Sequence, residues 1–435
     1  MDKKQDTIYA LSTPPGKSAI AVVRISGNKA FNYIKKISSS MPTKANISTL
    51  NKLITRTGDV IDQTITTYYK APKSYTGEDM VEISMHGGSA TINKFIDIFK
   101  KNKKTRLAEP GEFTRRSFEN NKLDLTQVEA IADLVNAETE YQRKQAYSQL
   151  EGKLTLKTKE IYNELKNTLA NIEAIIDFTD EELPKKLLNN TKEQIENISD
   201  NIESILNNNN KGRKIREGFV VGIIGNTNTG KSSFINNVSN QEIAIVSNKP
   251  GTTRDAIESY IDIMGLPVRF YDTAGIRKHR NAIEKKGIIK SKEISKDSDL
   301  NLVFINNISE INDFKCFLNS IFVQSKYDIR KKPITKNNIT NISSKTNYGI
   351  NSLLKKIFKR LSEKNFTENT YISRERHIEC LRKTRKYLEK SKKKKNLDVF
   401  AEDIRLAIKE VSKIYGNVDI ENILDIIFSD FCIGK

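Results

Sequence analysis

Apolar positions fall into three regimes along the chain. Over residues 1 to about 120, short apolar runs alternate with polar stretches punctuated by Pro and Gly. "SAIAVVRI" (18–25) and "DMVEISM" (79–85) read as strands, with "TPPGK" and "EPGEF" as breaks, so this segment is mixed α/β. Beyond Lys122 the period changes. Leu125, Val128, Ala132 and Val135 recur at helical spacing. Asp124 followed by Gln127 has the form of a capping box, and helical periodicity with few breakers runs to about Asp177. Asn189 to Asn210 is polar, Asn-rich and loosely helical, and "KGRKIRE" (Lys211–Glu217) reads as a charged hinge.

"FVVGIIG" (219–225) opens a second α/β unit that runs to about Leu361. A last helical segment carries Ile404, Ile408 and Val411, then Ile423, Ile426 and Ile427, on apolar faces. "KSKKKKN" (Lys390–Asn396) reads as an exposed basic turn between helices. Helices thus lie on both sides of the second α/β unit, the pattern of a domain inserted into a helical one. The expected fold is multidomain α/β and α. An N-terminal α+β domain covers 1–121, and a helical domain covers 122–216 and 365–435. A P-loop α/β domain spanning 217–364 interrupts it.

The 435 residues include 73 Lys+Arg against 54 Asp+Glu, a formal charge of +19. Such an excess attracts polyanions, nucleic acid first. The chain is also heavy in Lys, Asn and Ile throughout, and charge alone leaves both explanations open. Three cysteines, Cys316, Cys380 and Cys432, have no regular spacing. That argues against a disulfide scaffold or metal cluster and for a reduced, cytosolic setting. The start, "MDKKQDTIYA", has no apolar core for a secretory signal. No apolar stretch approaches the ~20 residues of a membrane span.

"FVVGIIGNTNTGKSS" is an apolar strand, then G-x-x-x-x-G-K-S, then a helix start, which is the P-loop in its required context. Gly225 and Gly230 permit the tight backbone path. Successive N–H groups from Asn228, Thr229, Gly230 and Ser233 face the phosphates, Lys231 reaches the β/γ oxygens, and Ser232 is a Mg²⁺ ligand. Downstream residues select GTP. "RFYDTAG" puts Asp272 at a strand end, followed by Thr273, Ala274 and Gly275, whose N–H can meet a γ-phosphate. "PGTTRD" supplies Thr253 to complete the Mg²⁺ shell. "SKYD" (Ser325, Lys326, Asp328) stands where GTPases carry N-K-x-D, and the Asp328 carboxylate can accept two hydrogen bonds from the guanine edge. "SSK" (Ser343, Ser344, Lys345) closes the base pocket. Two positions depart from the common pattern. Ile276 replaces the water-orienting Gln, leaving that task to another group such as Glu284. Ser325 replaces the bracing Asn.

Several further stretches carry a resemblance. "TPPGKSAIAVVRISG", "SYTGEDMVEISMHGG", "EPGEFTRRSFENNKLDLTQVEAIADL", "PGTTRD", "DTAG" and the terminal "FCIGK", together with the P-loop, resemble the tRNA-modification GTPase family MnmE (TrmE), from about Thr7 to Lys435. The resemblance implies an N-terminal domain like folate-binding aminomethyl-transfer proteins, which also forms the homodimer. It implies a helical domain split around a Ras-like G domain, and a cytoplasmic protein with no membrane attachment. Such proteins work with an FAD-containing MnmG-type subunit in a heterotetramer. Together they add an aminomethyl or carboxymethylaminomethyl group to carbon 5 of the wobble uridine of certain tRNAs. The one-carbon donor is 5,10-methylene-tetrahydrofolate. By position, Arg24, Glu82, Lys122 and Lys435 would contact the folate. The G domain of this family is K⁺-activated. Asn228 matches the K⁺-coordinating Asn, and the loop Ser247, Asn248, Lys249, Pro250, Gly251, Thr252, Thr253 matches the segment that completes the cage. Ser247, Lys249 and Thr252 would be its K⁺ ligands. Glu284 matches the acid that orients water.

Two function classes compete with a modification enzyme: an RNA-binding regulatory GTPase without modification chemistry, and a membrane-anchored switch. The ending Cys432-Ile433-Gly434-Lys435 has the spacing of a lipidation box, though Lys is a poor last residue. Cys432 is equally readable as a small buried apolar residue. The resemblance implies a third role, in which the tail reaches the folate site and Cys432 serves the modification reaction.

Overall fold

The computed structural model describes residues 6–102, 104–177, 184–207, 209–239, 258–272, 297–330, 339–362, 371–394, 396–417, and Leu424, Ile427, Phe428, Phe431 and Gly434. The chain divides into two compact units. One comprises Met1–Ala132, Thr155–Lys159 and Val411–Lys435, and the other Asp133–Leu154 and Glu160–Glu410.

The first unit is built on six strands: β1 (Thr7–Leu11), β2 (Ser18–Ser26), β3 (Ser48–Ile54), β4 (Val60–Tyr69), β5 (Met80–Gly87) and β6 (Thr105–Leu107). Their order is β3-β4-β5-β2-β1-β6, antiparallel except for the parallel β1/β6 pair. Helices α1 (Ala30–Lys35) and α2 (Ser89–Lys100) cover one face. There Val23, Ile25, Val81 and Ile83 pack with Ile34, Phe95 and Phe99. Because side chains alternate along a strand, Arg24 on β2 and Glu82 on β5 point to the other face, directly opposite each other in register. α3 (Glu112–Glu119) brings Phe113 against Ile8 and Ala10 on that side.

α4 (Leu125–Val135) begins at the capping box read from the sequence: Gln127 N–H donates to Asp124 Oδ1 at 3.0 Å, and Asp124 N–H to Gln127 Oε1 at 3.1 Å. Its apolar face, Leu125, Val128 and Ala132, packs with Leu424, Ile427, Phe428 and Phe431. The C-terminal segment is therefore seated within the first unit.

The helical stretch expected from 125 to about 177 is three helices: α4, α5 (Glu140–Leu150) and α6 (Lys153–Asp177). A second capping box, Thr139 with Gln142, restarts the chain as α5. α7 (Pro184–Asn207) follows. The charged hinge expected at Lys211–Glu217 is instead helical, within α8 (Asn209–Glu217). Tertiary contacts explain the difference. Ile215 is buried, Gln145 Nε2 donates to the Gly212 carbonyl at 2.9 Å, and Arg216 Nε donates to the Ser373 carbonyl at 3.1 Å.

The second sheet comprises β7 (Phe219–Gly225), β8 (Glu258–Ile263), β9 (Leu266–Asp272), β10 (Leu300–Phe304), β11 (Ser320–Gln324) and β12 (Ile339–Asn341), in the order β12-β11-β10-β7-β9-β8. Every pair is parallel except β8/β9. Strands buried on both faces read as continuous apolar runs, as "FVVGIIG" does. α9 (Lys231–Ser239) and α10 (Ile350–Ser362) pack on this sheet, with Phe234 of α9 against Phe270 and Phe304. β7 lies between β10 and β9, a reversal in strand order that opens a crevice at the strands' carboxyl ends.

The β8–β9 hairpin is held to α5. Tyr141 N–H donates to the Gly265 carbonyl at 3.1 Å, and Gln142 Nε2 donates to the Tyr260 hydroxyl at 2.6 Å. Burial, then the nearby Glu138 carboxylate, pushes the Tyr260 phenol well above its ordinary pKa, so it stays a neutral hydrogen-bonding group. Two last helices, α11 (Glu375–Ser391) and α12 (Leu397–Ser412), flank the basic turn expected near residues 390–396. α11 is tied to α7 by Ser199 Oγ donating to Glu389 at 2.9 Å, and to α12 by Lys390 pairing with buried Asp403 at 2.8 Å. Among the described residues no helix is long and apolar enough to cross a membrane.

Candidate functional site: a nucleotide cradle and an N-terminal charged face

The loop from β7 to α9 folds as the sequence requires. Gly230 has φ +89°, and a Cβ there would lie 2.5 Å from Ser325 Oγ, so only glycine fits the turn. Lys231 is buried, and its ammonium donates to the carbonyls of Gly225 at 2.8 Å and Asn226 at 2.6 Å. These bonds lay the side chain back along the loop, poised over the path a phosphate chain would take. Ser232 and Ser233 are exposed in the first helical turn, where N–H groups and the helix dipole favour an anion. Thr229 is buried, with its hydroxyl on the Asn226 carbonyl at 2.8 Å. Asn228 is exposed, in the left-handed region at φ +59°.

Ser325 is buried directly behind this loop, and its hydroxyl donates to the Thr229 carbonyl. The shorter residue therefore still braces the P-loop, as the missing Asn would. Lys326 donates to the Asn228 carbonyl at 2.9 Å. Asp328 is exposed, and its Oδ1 accepts from the buried Ser343 hydroxyl at 2.7 Å, which fixes the carboxylate plane. Asn237 of α9 donates to the Ser344 carbonyl at 2.8 Å, tying the base-closing loop to the phosphate helix. Lys345 is exposed on that loop. The structure thus brings Asn228 to Ser233, Ser325, Lys326, Asp328 and Ser343 to Lys345 around one crevice.

Asp272 ends β9, as expected, and only its backbone is described. Ser247 to Thr253, Thr273, Ala274, Gly275, Ile276, Glu284, Cys432 and Lys435 lie outside the described residues. A Mg²⁺ bound with nucleotide would neutralise charge on the β- and γ-phosphates. The exposed hydroxyl of Ser232, one residue past the phosphate lysine, fits a hard cation's preference for oxygen. Among the described residues no group of three or more His, Cys, Asp or Glu could hold a metal by itself.

In the first unit, Arg24 Nε donates to Glu82 Oε1 at 2.8 Å, and the Tyr69 hydroxyl donates to Glu82 Oε2 at 3.3 Å. The Arg24 guanidinium lies over the rings of Tyr75, at 5.0 Å, and Phe113, at 5.6 Å. Lys122 donates to the Pro72 carbonyl at 3.2 Å, on the same loop that supplies Tyr75. The positioning residues behind this face were not singled out from the sequence. Buried Arg116 bridges Glu78 at 3.0 Å and Glu112 at 3.0 Å, and Arg106 closes on Glu112 at 2.6 Å. Burial pushes the Glu112 carboxyl up, but the Arg106 hydrogen bond, the Glu109 backbone and both guanidiniums leave it below its usual value, so it is ionised. Only the density of charge within "SYTGEDMVEISMHGG" and "EPGEFTRRSFENNKLD" hinted at this network.

The tail reaches the same sheet. Gly434, at φ +101°, has a carbonyl that accepts from Ser12 Oγ at 3.0 Å, and a Cβ there would collide with the Leu11 carbonyl. Leu11 ends β1, and its neighbour Ala10 pairs with Arg24.

A mostly parallel sheet with a phosphate loop following its central strand β7 defines a P-loop GTPase, a GTP hydrolase. Two family models match the chain: the MnmE helical domain over residues 125–432 and the GTP-binding protein TrmE N-terminus over residues 7–122. Among similar proteins, the tRNA modification GTPase MnmE of Pelagibacter ubique is 42% identical over 451 residues, covering 99% of this chain and 100% of that one. The MnmE of Rickettsia bellii strain RML369-C is 39% identical over 453 residues, with 99% and 100% coverage. The G domain of the T. maritima FeoB iron transporter matches 33% of this chain and 98% of its own, at 21% identity and a TM-score of 0.26. The chain belongs to the MnmE (TrmE) family of tRNA modification GTPases.

Proposed function

We propose that this chain is a K⁺-activated GTPase that acts on tRNA with an FAD-containing MnmG-type subunit. The pair installs an aminomethyl or carboxymethylaminomethyl group at C5 of the wobble uridine. The observation that carries this beyond GTP hydrolysis is the seat of Gly434 against Leu11 and Ser12 at the end of β1, one strand from Arg24 on β2 and two from Glu82 on β5. GTP hydrolysis alone does not require the C-terminal tail to be held at the sheet that carries Arg24 and Glu82.

In this reading residues 1–121 bind the folate and form the homodimer, 122–216 and 365–435 are the helical domain, and 217–364 are the G domain. Arg24, Glu82, Lys122 and Lys435 contact the folate, with the Arg24–Glu82 pair acting together at one part of it. A bound methylene-tetrahydrofolate would supply the one-carbon unit. Cys432 serves the modification reaction. Lys231, Ser232, Thr253 and Asp272 hold the phosphates and Mg²⁺, Glu284 orients the attacking water, and Asp328 reads guanine between Ser325, Lys326 and Ser343 to Lys345. The reaction takes place in the cytoplasm, where uncharged and charged tRNA circulate. A homodimer is favoured by the exposed apolar pair Leu50 and Ile65, directly opposed on β3 and β4.

The folate site is tested by thermal unfolding of the full chain. Tetrahydrofolate at 100 times its Kd stabilises a site by ~2.7 kcal/mol. The midpoint is expected to rise with tetrahydrofolate in the wild type and not in Arg24→Ala. An unmoved wild-type midpoint would remove the folate from the account.

K⁺ activation rests on exposed, left-handed Asn228. A bound K⁺ would put positive charge beside the transferring phosphate, where other GTPases use an arginine. GTP hydrolysis is expected to be much faster in KCl than in NaCl at equal ionic strength, and Asn228→Ala is expected to erase the difference. Equal wild-type rates in the two salts would contradict the cage.

A further inference from the structure

The two base-reading loops are joined by more than Asp328 and Ser343. Tyr327, inside "SKYD", and Tyr348, just past "SSK", stack face to face with ring centroids 4.2 Å apart and planes 7° from parallel. Each tyrosine directly follows a residue in the left-handed region, Lys326 at φ +61° and Asn347 at φ +60°. Left-handed backbone is tolerated by Asn but disfavoured for Lys, so the turn at Lys326 in particular needs holding, and together the two turns present the rings to one another. The backbone adds Tyr327 N–H to the Ile342 carbonyl at 3.1 Å and Ser343 N–H to the Tyr348 carbonyl at 2.9 Å. Arg330 anchors the outer end of the first loop, donating to the Ser325 carbonyl at 2.7 Å and the Asn306 carbonyl at 3.0 Å.

The departure at Ser325 gives the stack its importance. Ser325 commits its one hydroxyl proton to the Thr229 carbonyl and so braces the P-loop alone. It has no further donor to stiffen the base side of the loop, as an amide side chain would. Tyr327 is the immediate neighbour of Asp328, and Tyr348 lies five residues past Ser343, the partner of Asp328.

We infer that the Tyr327–Tyr348 stack is a clasp that aims the Asp328 carboxylate, making Tyr348 a positioning residue for guanine selectivity in this chain. The inference rests on the reading of Asp328 as the base-contacting group. An aromatic pair is worth a factor of about two to ten in an equilibrium constant beyond its buried area. That factor should appear in base discrimination, since the phosphates are held elsewhere.

The test uses the full chain and two nucleotides, GDP and IDP, which lacks the 2-amino group that Asp328 would bind. Each competes with a fluorescent GDP analogue. Wild type is expected to prefer GDP. Tyr348→Ala is expected to narrow that preference about two- to tenfold, chiefly through weaker GDP binding, with kcat at saturating GTP near wild type. Tyr348→Phe, which keeps the ring, is expected to retain the preference. An unchanged preference in Tyr348→Ala would overturn the clasp, as would equal losses for GDP and IDP. Equal damage from Phe and Ala would also overturn it, because the hydroxyl rather than the stack would then matter. Asp328→Ala separates the levels: it should abolish the preference whether or not the clasp holds. If it does not, the base-reading assignment itself fails.

Discussion

Asp328→Asn is expected to turn the nucleotide preference from guanine toward xanthine. An ionised carboxylate has only acceptors, and the guanine edge offers two donors, the ring N1–H and the 2-amino group. Asn presents one acceptor and one N–H₂, so one guanine donor meets another donor. Hydrogen bonds to charged groups contribute about 1.5–3 kcal/mol each. Losing the charge and one partner together should weaken GTP by about a hundredfold or more. Xanthine carries a carbonyl where guanine has the amino group, and the new N–H₂ can donate to it. The loop should survive the change, because the Asn carbonyl can still accept from the Ser343 hydroxyl that now meets Asp328 at 2.7 Å. Competition between GTP and XTP for the variant measures the exchange. A variant that still prefers GTP would show that "SKYD" does not read the base.

Cys432→Ser is expected to abolish the modified nucleoside while leaving GTP hydrolysis and dimerisation near wild type. The residues bracketing it are anchored. Phe431 is buried against Phe428, and Gly434 is bonded to Ser12 beside the end of β1. Those anchors set the tail within the first unit, whereas the phosphate loop belongs to the second. A substitution in the tail that spares GTP hydrolysis yet stops the modification therefore separates the two chemistries. A basic side chain beside a cysteine favours its thiolate, and Ser cannot replace a thiolate near neutral pH. Deleting Cys432 to Lys435 is expected in addition to weaken folate binding through loss of Lys435. Full modification by Cys432→Ser would leave the cysteine a packing residue. A lipid-sized mass increase on the native C-terminal peptide would instead support an anchor, against which the fit of Gly434 already stands.

Much of this was legible in the sequence because the signals were local. The P-loop follows an apolar strand and opens a helix, and β7 and α9 begin at Phe219 and Lys231. Asp124 and Gln127 cap α4 at the expected spacing. What escaped was non-local. "KGRKIRE" looked like a hinge because its charge pattern carries no apolar stripe, and its helix is held by Gln145, Ser373 and the burial of Ile215. The long helical run breaks before α5 at a cap, Thr139, that periodicity alone does not mark. Arg24 and Glu82 were named by resemblance, but their support by Tyr69, Tyr75 and the Arg106–Glu112–Arg116–Glu78 network depends on loops far apart in the chain. The stack of Tyr327 on Tyr348 is likewise invisible until two turns are folded.

In the proposed function, GTP hydrolysis by this chain serves a chemical change in tRNA. The most direct measurement is mass-spectrometric analysis of nucleosides from the tRNA of cells with and without this chain. The aminomethyl and carboxymethylaminomethyl forms of wobble uridine are expected to disappear without it and to return when the wild-type chain is restored, but not when Cys432→Ser is supplied. An unchanged nucleoside profile in cells lacking the chain would contradict that function.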